Sequence, residues 1–143
     1  MVLIIMGISD CNQVAPKPKT EVEKLPPATQ QGKYTFGCLV NGKAFVTRTT
    51  LDVYAFYQSG VMSIGGQRDD TDQSVFFSIN DPNIVEGTTY VFDNKSQLTH
   101  FASYWILNST INCDYETKVN NNTAQLTITK FDQVNLIVSG TFK

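Results

Sequence analysis

Beyond residue 32 the chain alternates apolar and polar positions with a period of two, in short runs separated by turn residues. No run places apolar residues at helical spacing. The alternation predicts strands over 34–40, 43–48, 51–58, 61–66, 74–80, 88–92, 99–107, 111–117, 124–131 and 135–143. Asn41-Gly42 separates the first two, and this pair favours a tight hairpin because both positions tolerate positive φ. In 74–80, Val75, Phe77 and Ile79 fall on one face and Phe76 and Ser78 on the other. In 99–107, Phe101, Trp105 and Leu107 share a face with Ser103. Leu126 and Ile128 share a face in 124–131, as do Leu136, Val138, Gly140 and Phe142 in the last strand. Nine or ten short strands joined by turns predict an all-β domain, an antiparallel β-sandwich or a partly closed β-barrel. The pattern alone does not choose between the two.

Ahead of this domain (33–143) the pattern is different. Residues 2–8 read V-L-I-I-M-G-I. The run is far short of the roughly 20 residues a membrane-spanning helix needs, and its length suits the apolar stretch of an export signal. Ile8-Ser9-Asp10-Cys11 follows and resembles the lipobox of bacterial lipoproteins, with Asp10 where Gly or Ala is usual. Residues 1–10 are therefore read as a truncated lipoprotein signal peptide and Cys11 as the acylated residue. Several acyl chains on one cysteine give firm anchoring, at roughly 0.8 kcal/mol per buried methylene. Residues 11–32 hold four of the five prolines, Pro16, Pro18, Pro26 and Pro27. Repeated proline prevents both helix and central strand, so this stretch is expected to be a semi-extended spacer, a disordered tail before the domain.

Composition narrows the function classes. Apolar residues make up 41% and aromatics 11%, enough for a packed core. With 11 basic and 13 acidic residues the net charge is -2, which argues against a nucleic-acid binder. His100 is the single histidine; a Ser-His-Asp triad is defined by geometry and not by abundance, so it is read as a solvent-facing or satisfied His, and with two paired Cys it offers too few ligands for a His/Cys zinc site. Asp69, Asp70 and Asp72 cluster without the spacing of an EF-hand and read as a solvated turn. No catalytic residue, metal ligand or cofactor is predicted, and the chain is read as a non-enzyme.

Once Cys11 is assigned to lipid, Cys38 and Cys113 remain. An even pair in an exported chain predicts a disulfide, with two buried free thiols as the alternative.

The aromatic residues carry the sharpest functional reading. Tyr54 and Phe56 occupy one face of strand 51–58, while Leu51, Val53, Ala55 and Tyr57 occupy the other. Two apolar faces suggest a central, buried strand. The alternative is that one aromatic face is exposed and takes sugar rings or a partner. The same choice applies to Tyr104 against Trp105, which lie on opposite faces of their strand.

The stretches Leu25-Pro26-Pro27-Ala28-Thr29-Gln30 and Thr35-Phe36-Gly37-Cys38-Leu39-Val40-Asn41-Gly42-Lys43-Ala44-Phe45 resemble the start of a family of small Bacteroidota lipoproteins of unknown function. Leu126-Thr127-Ile128-Thr129-Lys130-Phe131-Asp132 and Val138-Ser139-Gly140-Thr141-Phe142 are similar to that family's closing hairpin. The resemblance implies an exported β-domain, tethered by lipid at the outer membrane or cell surface, with no established activity. The expectation is a monomeric binding domain, meeting the membrane through its anchor and a glycan or protein partner through Tyr54, Phe56, Tyr104 or Trp105. The alternative is a barrel carrying a small apolar ligand inside.

Overall fold

Asn41 and Gly42 both adopt positive φ (49° and 75°), as a tight hairpin turn requires. They join β1 (Gly37–Val40) to β2 (Lys43–Val46), which pair antiparallel with Val40 opposite Lys43. Ser59 and Gly60 (φ 53° and 81°) repeat the device between β3 (Val53–Gln58) and β4 (Val61–Arg68). The remaining strands are β5 (Gln73–Asn80), β6 (Thr89–Phe92), β7 (His100–Leu107), β8 (Asn112–Glu116), β9 (Ala124–Asp132) and β10 (Ile137–Phe142). The computed structural model describes residues 17–93, 99–107, 112–117 and 123–143. The signal-peptide and Cys11 readings lie outside these residues.

The strands form three antiparallel sheets: the hairpin β1-β2, a three-stranded sheet in the order β10-β9-β6, and a five-stranded sheet in the order β3-β4-β5-β7-β8. β6 leaves the large sheet after β5 and joins the other layer, and β7 returns to pair with β5. The sheets do not close into a barrel among the described residues, so the architecture is sandwich-like. Phe77 on β5 bridges the layers, with ring centroids 4.7 Å from Phe142 and 5.5 Å from Phe92. Phe45, Met62, Ile79, Phe92 and Ile128 complete the dry centre, each at most 2% exposed. Tyr57 meets Phe131 edge-on at 5.2 Å near one margin.

One irregularity sets which residues of β9 face inward. Ser139 pairs with Lys130 but Gly140 pairs with Ile128, so Thr129 is an extra residue on β9. Leu126 and Ile128 point into the core, and after this bulge Phe131, not Lys130, resumes the inward side. A Cβ at Gly140 would lie 2.6 Å from the Thr127 carbonyl, so the close approach at the bulge needs glycine.

Three expectations change at this level. β3 is an edge strand, not a central one, because only β4 pairs with it. Strand 34–40 begins only at Gly37, since Tyr34 adopts a positive φ of 52° that breaks extended pairing. Leu136, with φ 56°, turns out of the last strand and is 87% exposed. Part of the proline-rich stretch also lies along the domain. The Ala44 amide donates to the Glu21 carboxylate at 2.7 Å, and Gln30 Nε2 donates to the Thr129 carbonyl at 3.0 Å. Among the described residues no helix is long and apolar enough to cross a membrane.

Candidate functional site

The five-stranded sheet has two apolar faces, but the second sheet covers only one. Strand register fixes what stands on the outer face. One row across the sheet runs Tyr54, Gly65, Phe76, Ser103 and Glu116; the next holds Phe56, Ser63, Ser78 and Phe101; a third holds Ser74, Trp105 and Asp114. Large rings thus alternate with glycine and serine. That spacing lets the rings lie over the small residues instead of standing upright.

The geometry follows. A Cβ at Gly65 would lie 2.5 Å from Tyr54 Cζ, so the Tyr54 ring occupies the space a side chain there would fill. Tyr54 stands 6.2 Å from Phe76, Phe76 is 5.5 Å from Phe101, and Phe76 stacks on Trp105 at 6.3 Å with planes 19° apart. Burial raises the Tyr54 phenol above its ordinary range, while a hydrogen bond with the Ser74 side chain pulls the other way. Beneath the rings Ser63 and Ser103 are only 3% and 4% exposed. Two buried polar atoms of this face, Ser103 Oγ and Trp105 Nε1, have no hydrogen-bond partner. Unpaired buried polar groups cost roughly 1–3 kcal/mol each and are uncommon in folded proteins. Phe56, near the free edge, is 57% exposed.

Of the four aromatics singled out in the sequence, Tyr54, Phe56 and Trp105 therefore share the outer face. Tyr104 does not. It points inward against the core and lies 6.1 Å from Tyr115, because neighbouring residues of a strand project to opposite sides. Phe76 and Phe101 belong to the aromatic face and were not singled out. The signal was present: Ser74-Phe76-Ser78 and Phe101-Ser103-Trp105 both alternate ring and small residue.

The cysteine expectation is corrected. Cys38 and Cys113 are free. Cys38 belongs to the β1-β2 hairpin and Cys113 to the edge strand β8 of another sheet, with no strand pairing to hold them in register. Burial pushes the Cys38 thiol up to about 11. The Tyr104 phenol is raised mainly by burial, and next by the nearby Cys38, Tyr115 and Cys113.

Several other ionisable groups are engaged locally. Asp70 accepts from Arg68 at 2.7 Å and from Arg48 at 2.9 Å, and the Arg68 contact holds its carboxyl below the usual range. The Tyr90 hydroxyl donates to Asp81 at 2.8 Å. The Asn83 amide and then Tyr90 lower the Asp81 carboxyl, whereas burial and then this bond raise the Tyr90 phenol. His100 packs edge-on against Tyr90 at 5.3 Å and Phe92 at 6.2 Å, and its buried Nδ1 has no hydrogen-bond partner. Among the described residues, no three His, Cys, Asp or Glu side chains converge to hold a metal ion.

Compared with known proteins, the chain matches no protein-family model, no curated protein and no solved structure.

Proposed function

We propose that this protein is a non-enzymatic binding domain of the bacterial envelope, tethered through acylated Cys11, that takes sugar rings on the outer face of its five-stranded sheet. Pyranose rings present a flat C–H face suited to aromatic platforms and a rim of hydroxyls suited to polar groups. The observation that carries this reading is the coincidence of both features on one face. Tyr54, Phe76, Phe101 and Trp105 form a chain of neighbouring rings on that face, with the unpartnered Ser103 Oγ and Trp105 Nε1 buried beneath its surface. Asp114 and Glu116, at the β8 end of the same rows, supply carboxylates of the kind that accept from sugar hydroxyls.

The test is calorimetric titration of the protein with a panel of soluble oligosaccharides, repeated with Trp105→Ala and Tyr104→Ala. Binding that W105A abolishes and Y104A spares is expected. Absence of binding across the panel, or equal loss in both variants, removes the reading. Mass spectrometry of the membrane fraction tests the tether: an acylated fragment beginning at Cys11 supports it, and an intact Met1 on soluble protein removes it.

A further inference from the structure

The inner face of the large sheet is wider than its cover. At about 4.8 Å between neighbouring strands, five strands span about 19 Å and three only about 10 Å. The β1-β2 hairpin and the arm 25–36 fill part of the difference: Phe36 stacks on Phe142 at 5.1 Å, and a Cβ at Gly32 would lie 3.2 Å from Ile137. What remains is an open cleft of about 1240 Å³. That exceeds the roughly 300–1,000 Å³ typical of small-molecule sites. Its exposure pattern agrees. Ala55 points inward, opposite Ile64, yet is exposed, and Val53, Ile64, Tyr104 and Val138 are only half-buried.

The charge of the lining is one-sided. Among the described residues no Asp or Glu lines the cleft and the charged residues that do are Lys33 and Lys143, in a chain whose net charge is -2. Lys33 follows Gly32, which meets the start of β10, and Lys143 follows its end, so a cation stands toward each end of an apolar trough. We propose that this cleft binds an amphiphile with a single alkyl chain and an anionic head group. The chain lies over Val53, Ala55 and Ile64, and the head group meets a lysine. The side chains that would hold the alkyl chain project to the opposite side of the sheet from the aromatic rings, and the proposal does not depend on the reading given for those rings.

The experiment is calorimetric titration of the full chain with laurate and with dodecylammonium, both below their micellar concentrations. Laurate is expected to bind at least tenfold more tightly than dodecylammonium. The double variant K33E/K143E is expected to lose at least tenfold in laurate affinity, and Ala55→Trp, which fills the trough, to abolish binding. Should A55W fail to fold by circular dichroism, the two exposed lysines carry the test without it. Trp105→Ala is expected to leave laurate binding intact, which separates this site from the outer face. No laurate binding, equal binding of dodecylammonium, an unchanged K33E/K143E, or loss in W105A overturns the proposal.

Discussion

Phe76 and Phe77 are adjacent in one strand and chemically identical, yet they lead different lives. Phe77 is 3% exposed and touches Phe92 and Phe142 of the opposing sheet. Phe76 faces the other way, is half-buried, and among the described residues its ring neighbours Tyr54, Phe101 and Trp105 all belong to its own sheet. The two faces of the sheet are similarly aromatic, and what separates them is whether a second layer lies across. An apolar face without a second sheet across it is held together sideways, by ring on ring over small residues.

The sharpest way to break this comparison is to truncate each phenylalanine. Phe77→Ala is expected to cost about 3–5 kcal/mol, the range for core Phe→Ala changes. Phe76→Ala should cost less than half as much in the same urea titration. Equal losses would mean the outer face is as integral to folding as the core. Next in size is Gly65→Val on the outer face. The new side chain would collide with the Tyr54 ring and the Val75 carbonyl, so a loss of about 1–3 kcal/mol is expected. The accompanying sign would be a displaced Tyr54, read as loss of oligosaccharide binding.

Smaller still is Tyr90→Phe, which leaves Asp81 without its hydroxyl donor, at about 1 kcal/mol. The same carboxylate gives a pH dependence of defined sign. Its pKa is lowered on folding from an ordinary 3.8, so its contribution is fully present above that value. The contribution is lost as the pH falls through the lower folded value. Thermal melts of the wild type should therefore lose stability more steeply below about pH 4 than those of Y90F. Parallel acid profiles would show that the Tyr90 contact does not depress the Asp81 carboxyl.

The alternation of residues in 74–80 and 99–107 was sufficient to sort Phe76, Phe101, Ser103 and Trp105 from Val75, Phe77 and Tyr104, because strand periodicity is a local property. Which strand stands at an edge is not local. β3 carries apolar residues on both faces, which reads as a central strand, but its neighbours are decided by pairings far along the chain. The cysteines failed for the same reason, since an even count says nothing about which sheets the two thiols join. The cleft was invisible because it arises from unequal sheet widths, a property of no single segment. Tyr104 illustrates the boundary: its side of the strand was legible, and the trough it lines was not.

Thr129 carries a consequence that no substitution reproduces. As the surplus residue of β9, it lets Phe131 reach Tyr57 across the layers while Lys130 stays outside with Glu86 at 3.2 Å. Pairing that one threonine in regular register would change the side of everything after it, delivering an ammonium group where a benzyl ring belongs. Along this stretch a single unpaired residue, and not alternation alone, decides which side chains the closing hairpin turns inward.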